Sequence, residues 1–334
     1  VYVVLRHKKE LLSEYLTSNF PNSILVEQDD IAGTGRAVEV SLEKIPSDFD
    51  GDVLVVSGDV PLMDVDTLSA LVDSHRSSKA SATILTAMVD DPSGYGRIVR
   101  SKDGSVTKIV EHLDASETEA AIKEINAGVY VFDAAHLRQG LSQLDSHNAQ
   151  GEKYLTDVAA LIVEDKNIVV AQIVADNWLV HGINDRTQLS EVAKELNARI
   201  CRGWQLSGVT ILDPDTTWID VEVSIGKDAI LHPGTHLRGA TKIGPMAEIG
   251  PNVVIESSTV QESAKVGPFA YLRKGTNLGP EGKIGSFVET KNAQIGRGSK
   301  VPHLSYVGDA EIGEHSNIGA GTIFANYDLS LIHI

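Results

Sequence analysis

From Ile225 onward an aliphatic residue recurs at every sixth position: Ile225, Leu231, Leu237, Ile243, Ile249 and Ile255. The beat slips once and resumes at Val266, Leu272, Leu278 and Ile284. It slips again to Ile295, Val301 and Val307, and ends on Ile312, Ile318 and Phe324. In ten of these sixteen places the next residue is Gly. An α-helix repeats at about 3.6 residues and a half-buried strand at about 2, so neither carries this pattern. It fits a parallel β-helix of short strands joined by tight turns, with one branched side chain per strand stacking inward. The Gly then serves positive φ or a close backbone approach at the turn.

Glycine also marks a boundary, since 17 of the 29 lie after residue 204. A chain of 334 residues has room for two cores. The net charge of −17 argues against a nucleic-acid surface or an anionic membrane as partner. It leaves room for a phosphate-bearing small molecule at a local basic site. One cysteine, Cys201, excludes an internal disulfide framework and points to a reducing compartment. No apolar run reaches the length of about 18 residues needed to span a bilayer, and no signal-peptide pattern opens the chain. The expectation is a cytoplasmic protein without membrane insertion. The opening Val1-Tyr2-Val3-Val4-Leu5 reads as the middle of a buried strand without an initiator Met, so an earlier segment is expected.

Before the hexads, short apolar runs alternate with helical stretches. Strands are predicted at Val1–Leu5, Ile24–Val26, Val53–Ser57, Ala82–Met88, Val129–Phe132 and Ile168–Ile173. Helices are predicted at Lys8–Asn19, Thr34–Leu42, Val65–Ser74, Ala134–Leu144 and Leu155–Glu164. This alternation predicts an α/β domain with a mostly parallel sheet, whose ligands gather at the carboxyl ends of strands. Leu189, Val192, Leu196 and Ile200 then predict an amphipathic connecting helix, with Asp185 as N-cap and its end near Gly203. The division read from these patterns is 1–184, a helix over 185–205, and the hexads over 206–334.

The strand Val53–Ser57 runs into Gly58-Asp59-Val60-Pro61-Leu62. An Asp at such an edge suits Mg²⁺, an oxygen-seeking ion usually shared with phosphates; a plain turn before Pro61 would use it equally well. Gly33-Thr34-Gly35, at a helix start, could offer N–H groups to a base or phosphate, or simply turn. Gly94-Tyr95-Gly96-Arg97-Ile98 reads either as a ligand approach or as a hairpin.

Together with Gln28, Val110-Glu111-His112, Glu124-Ile125-Asn126-Ala127-Gly128, Tyr154-Leu155-Thr156-Asp157 and Gly182-Ile183-Asn184-Asp185-Arg186, these segments are in the right order for one family. The chain resembles the bacterial GlmU family, bifunctional N-acetylglucosamine-1-phosphate uridyltransferases and glucosamine-1-phosphate acetyltransferases. The resemblance covers nearly the whole chain. It implies a Rossmann-like α/β nucleotidyltransferase domain followed by a left-handed parallel β-helix of hexapeptide repeats. It further implies that Asp59 and Asn184 hold Mg²⁺, and that Gln28, Gly33 and Thr34 surround the uracil. Gly96, Glu111, Asn126 and Asn184 would contact the sugar side, and Ser57 and Gly58 would complete the nucleotide–sugar set. The implied reaction is attack by the phosphate oxygen of N-acetylglucosamine 1-phosphate on the α-phosphorus of UTP, releasing pyrophosphate. Arg36 and Ser57 depart from the residues common in the family at those places. The family's Gly-rich triphosphate loop has no counterpart after Val1, so little uridyltransferase activity is expected of this chain alone.

Within the hexads, polar residues concentrate at Tyr271–Gly275, Phe287–Asn292, Pro302–Tyr306 and Asn317–Gly321. Arg273 and Lys291 suit a phosphate clamp, Arg by its planar fork and Lys as a point charge. His303 follows Val301-Pro302 and is expected to face outward. An imidazole titrates near neutrality and suits a general base, although a histidine in such a place is ordinarily just a surface residue. The resemblance implies that His303 deprotonates the amine of glucosamine 1-phosphate for attack on acetyl-CoA, with Glu289 in support. Arg273 and Lys291 would bind the sugar phosphate, Tyr306, Asn317, Asn326 and Tyr327 would surround the sugar, and Ala320 would approach acetyl-CoA. It also implies a homotrimer whose neighbouring subunits complete the site, and a product feeding cell-envelope polymers such as peptidoglycan. After Asn326-Tyr327-Asp328 the beat is lost. A truncated or frame-shifted end is expected, with an uncapped sheet edge prone to association.

Three other readings compete. One is a sugar-1-phosphate nucleotidyltransferase with a non-catalytic β-helix. Another is an inactive nucleotide domain on an assembly module. A metal-dependent hydrolase or carbonic-anhydrase-like trimer would need several converging histidines, and only His303 and His315 come near such a spacing.

Overall fold

Each predicted apolar run of the first two hundred residues becomes a strand. The structure, a computed structural model, describes residues 1–325 and divides into two units, Val1–Leu189 and the chain from Ser190 onward. The first unit runs β1 (Tyr2–Leu5), α1 (Lys9–Asn19), β2 (Ile24–Glu27), α2 (Thr34–Leu42), β3 (Asp52–Val56), α3 (Val65–Ser78) and β4 (Ala82–Met88). It continues with β5 (Arg97–Arg100), β6 (Val106–Val110), α4 (Glu117–Ala120), β7 (Glu124–Asp133), α5 (Ala134–Gln143), α6 (Thr156–Glu164) and β8 (Val169–Ile173). Two helix starts carry side-chain caps: Asp64 accepts from the Thr67 N–H at 2.7 Å, and Asp133 accepts from those of Ala135 and His136.

The sheet corrects one expectation. It is mixed, not mostly parallel: β7 runs antiparallel to β3, β4 and β5, and β5 is antiparallel to β6, whereas β4 and β8 are parallel. β5 and β6, which no apolar run had marked as strands, are joined by a short loop and form an antiparallel hairpin. Because β5 runs against both neighbours, β6 and β7 point the same way, and the chain crosses back past β5 through α4. β1 and β2 pair with each other in parallel. Alternation along β7 sends Tyr130 and Phe132 to one core and Ile125, Ala127, Val129 and Val131 to another. Helices α2, α5 and α6 cover the first face, and Leu71 of α3 lies in the second.

β7 positions the site. Its carboxyl-terminal half pairs with β3, ending at Val56 opposite Val129, and its amino-terminal half meets β5 at Arg97 opposite Ile125. β3 and β5 therefore lie end to end along β7, with a gap between them. On its other edge β7 bulges: Ile84 of β4 faces Tyr130 and Thr86 faces Asn126, so β7 spends two extra residues there. Gly128, at φ 70°, sits in that bulge.

The second unit opens with the rest of α7 (Arg186–Leu206). Asp185 caps it, accepting from Thr187 and Gln188 at 2.8 Å. The helix passes through Gly203 and stops instead before Gly208, which has φ 96°. Buried Asn197 ties it to the first coil, donating to the Thr217 carbonyl at 2.8 Å and accepting from the Ile219 N–H at 3.0 Å. Coiling begins earlier than the strict beat, because Thr210–Ile211 already pairs with Ile230–Leu231.

Three parallel six-stranded sheets of two- to four-residue strands then form the faces of a β-helix. Its core is the hexad set, from Ile225 to Ile312, nearly all fully buried. The slips are single-residue deletions that keep the stack intact, and the step from Val307 to Ile312 is a third of the same kind. Val260 turns inward five residues after Ile255, Thr290 takes the place after Ile284, and Ile295 follows five residues later. Buried Thr290 is accommodated because its hydroxyl pairs with that of Thr276 at 2.9 Å.

The two roles open to the hexad glycines fall mostly at different positions, although Gly267, directly after Val266, has φ 97°. Left-handed φ falls three residues before the inward side chain, mostly on non-glycines such as Asp228, Asn252, Phe287 and His315. The glycine after the aliphatic serves close approach: a Cβ on Gly285 would lie 1.8 Å from the Pro302 carbonyl oxygen.

Candidate active sites

In the first unit one line of contacts joins the residues singled out from the sequence. Gln28 donates from Nε2 to the carbonyls of Ile31 (2.8 Å) and Gly33 (3.1 Å), which leaves Oε1 as its free acceptor. Gly33 must be glycine, since its φ is 118° and a Cβ would lie 2.2 Å from the Lys153 carbonyl oxygen. Lys153 reaches back to this turn: its N–H donates to Ala32 and its carbonyl accepts from Gly35, each near 3 Å. The Gly35 N–H is therefore spent within the protein. The Thr34 hydroxyl accepts from the Leu155 N–H at 3.1 Å, just ahead of α6.

The next residue, Thr156, donates its buried hydroxyl to Glu111 Oε1 at 2.9 Å. Burial pushes the Glu111 carboxyl above the ordinary 4.5; the Thr156 hydrogen bond opposes that, and Asp157 and Asp114 add to it. Asp157 is also raised, by burial first and then by Asp145 and Asp114. Glu111 Oε2 and the Asn126 Cβ close on Gly96, where a Cβ would meet them at 3.4 and 3.5 Å. The Asn126 N–H donates to the Gly96 carbonyl at 2.9 Å. Gly96, Glu111 and Asn126 thus line the gap between β3 and β5.

At the end of β3, Ser57 donates to the Gly128 carbonyl at 3.0 Å, so its hydroxyl secures the bulge. Gly58 and Asp59 come next, both exposed. The Asp59 carbonyl accepts from the Ile183 N–H at 2.9 Å, and Asp59 Oδ2 is 3.4 Å from where a Gly182 Cβ would sit. Asn184 is the next residue of that loop, with its N–H held by Gln188 Oε1 at 2.6 Å. One carboxylate and one amide oxygen on adjoining segments suit Mg²⁺, which commonly takes one or two protein oxygens and completes its shell with phosphates and water. Among the described residues no cluster of three or more His, Cys, Asp or Glu forms a dedicated cage.

Sequence reasoning missed Lys153, Tyr130 and the part played by Thr156. Lys153 acts through its backbone and carries no side-chain signal. Tyr130 looks like an ordinary core residue in a strand.

In the second unit Arg273 and Lys291 are in register on neighbouring strands of one sheet. Each already has a carboxylate: Arg273 Nη1 meets Glu289 Oε1 at 3.0 Å, and Lys291 Nζ meets Asp309 Oδ2 at 3.4 Å. Within this chain Glu289 pairs with Arg273. His303 is exposed, as its position after Val301-Pro302 predicted, and pairs in register with Ser286 on a different sheet. Tyr306 lies just past the intervening corner, in register with Glu289. Asn317 bridges to Lys300 and is exposed, as is Ala320. Asn326 and Tyr327 lie outside the described residues. No helix of the described residues is long and apolar enough to cross a membrane.

Residues 1–221 match the Nucleotidyl transferase family. Over 98% of its length the chain is 52% identical to a bifunctional protein GlmU of Clavibacter sepedonicus, covering 70% of that protein. It is 54% identical over 98% of its length to the GlmU of Leifsonia xyli subsp. xyli, covering 71%. With that of Mycolicibacterium vanbaalenii it is 54% identical over 90% of this chain and 64% of the relative. A solved UDP-glucose pyrophosphorylase complexed with UDP-glucose is similar at a TM-score of 0.40 and 16% identity, over 51% of this chain and 71% of that one. With its first 221 residues matching the nucleotidyltransferase family and more than half of its residues identical to those of GlmU proteins over nearly its whole length, the chain belongs to the GlmU family.

Proposed function

We propose that this protein is a bifunctional enzyme of UDP-N-acetylglucosamine synthesis, acetylating glucosamine 1-phosphate and then transferring uridylyl from UTP to the product. The observation that supports it most is the unbroken line from Gln28 through Thr34, Thr156, Glu111, Gly96, Asn126 and Ser57 to Asp59 and Asn184. On this reading the base, sugar and metal candidates follow one another on linked segments, with the sugar candidates beside the gap between β3 and β5. In the uridylyl step a phosphate oxygen of N-acetylglucosamine 1-phosphate attacks the α-phosphorus of UTP, and the bond to pyrophosphate breaks. Mg²⁺ at Asp59 and Asn184 would neutralise phosphate charge. The protein's own share is positioning: Gln28, Gly33 and Thr34 at the uracil, with Glu111, Gly96 and Asn126 at the sugar.

In the acetyl step His303 takes a proton from the substrate ammonium. The freed amine attacks the thioester carbonyl of acetyl-CoA, and CoA leaves as the thiol. Arg273 and Lys291 would hold the sugar phosphate, Tyr306, Asn317, Asn326 and Tyr327 the sugar, and Ala320 would face acetyl-CoA. A homotrimer would complete this site, and the co-substrates UTP and acetyl-CoA are consistent with a cytoplasmic enzyme.

One observation favours a second reading, a nucleotidyltransferase whose β-helix only assembles it: both phosphate-binding candidates are already ion-paired. Two variants of the full-length protein separate the readings. His303→Ala is expected to abolish acetyl transfer with the oligomer and uridylyl transfer intact. Asp59→Asn is expected to remove Mg²⁺-dependent pyrophosphate release alone. Unchanged acetyl transfer in the first variant removes His303 from its role, and an absence of acetyl transfer in the wild type selects the second reading.

A further inference from the structure

Tyr130 is a core residue with a polar end. Only 4% exposed, it stacks on Phe132 with ring centroids 5.5 Å apart. A buried phenol needs a hydrogen-bond partner. It has one in Asn126, whose Nδ2 donates to the Tyr130 hydroxyl at 2.6 Å. Four residues along a regular strand would span about 13 Å, too far for this bond. The bulge at Gly128, which has no side chain to stand between them, folds the two together. Burial raises the phenol's pKa well above 10, so the hydroxyl stays neutral at any working pH.

The partners also settle which way the Asn126 amide points. A carboxamide has two N–H donors and one acceptor oxygen. The Gly128 N–H can only donate, and it lies 3.2 Å from Asn126 Oδ1. The nitrogen must therefore face Tyr130. One N–H and one oxygen lone pair are left for a ligand, beside Glu111 and Gly96. That pair complements an acetamido group, whose carbonyl accepts and whose N–H donates. A hydroxyl in the same place satisfies the pair less well, because one small group must serve both.

We propose that Tyr130 is a positioning residue that locks the Asn126 amide as a reader of the acetamido group, and so helps set the choice of sugar. The proposal rests on the uridylyl-transfer reading of this gap. With the hydroxyl removed, the amide loses its anchor and can turn over, and the acetamido group no longer meets a preset pair.

The test is equilibrium binding, by calorimetry, of UDP-N-acetylglucosamine and of UDP-glucose to the full-length protein with Mg²⁺. Tyr130→Phe keeps the ring on Phe132, and Tyr130→Met fills similar space without a hydroxyl. Both are expected to lower the preference for the acetamido sugar about fivefold, the usual worth of one net hydrogen bond, with UDP-glucose binding within about twofold of wild type. A merely structural Tyr130 would weaken both ligands together. Equal weakening, or an unchanged preference in both variants, overturns the proposal. Wild type that binds neither nucleotide sugar overturns the uridylyl reading itself and the proposal with it.

Discussion

Glu111 shows what a binding residue costs the fold. Its carboxyl is half-buried, raised in pKa chiefly by desolvation, and only partly offset by Thr156. A carboxyl raised above its unfolded value of 4.5 contributes most stability below that pH, and the contribution is lost as pH climbs through the folded value. Glu111→Gln is therefore expected to raise the melting temperature at pH 7, and the gain should fade as pH falls through the raised folded value towards 4.5. The same variant is expected to weaken sugar-nucleotide binding. Thermal melts across pH 4 to 8 would check it, and a variant destabilised at neutral pH would show that burial is not the dominant effect. At this scale the sequence was partly legible. Glu111, Asn126 and Gly96 stood out as polar or glycine residues in a motif order. Tyr130 did not, because a tyrosine in an apolar strand carries no mark of where its hydroxyl goes.

At the scale of the element, β7 and the hexad coil make opposite lessons. A coil is local: each strand is two to four residues long and pairs with the strand one turn away, so the beat alone determined the stack. Its apparent gaps were places where a five-residue step or a threonine stood in. Thr290→Val is expected to be close to neutral, within about 1 kcal/mol, since Thr276 still donates to the Arg273 carbonyl at 3.0 Å. Gly285→Ala is expected to cost about 3 kcal/mol or more, because a methyl group there meets backbone that cannot withdraw. Urea titration of both variants would compare them; a Gly285→Ala protein as stable as wild type would mean that the coil spacing yields. β7, in contrast, was underestimated from its sequence. Only Val129–Phe132 reads as a strand, while Glu124–Gly128 looks polar and glycine-rich. Its pairing with both β3 and β5 arises from long-range contacts that no local window contains.

At the scale of the molecule the two units have separate cores. Separate cores predict two unfolding transitions by calorimetry. Asn197→Ala should lower only the transition of the β-helix, since it strips buried partners from the Thr217 carbonyl and the Ile219 N–H. Leaving such groups unpaired costs about 1–3 kcal/mol each. A variant in which both transitions fall together would show that the units melt as one.

The sequence by itself determined the coil, the longer helices, the Asp185 cap and the order of the motifs, because each of these depends on spacing and side-chain type within a few residues. Only the tertiary structure decided that the sheet is mixed, that β3 and β5 meet end to end to open a gap, and that the bulge brings the Tyr130 hydroxyl onto Asn126. It also decided that Glu289 pairs with Arg273 within this chain. These depend on which distant segments pair, and strand pairing rests on register and on buried polar groups finding partners across the whole unit.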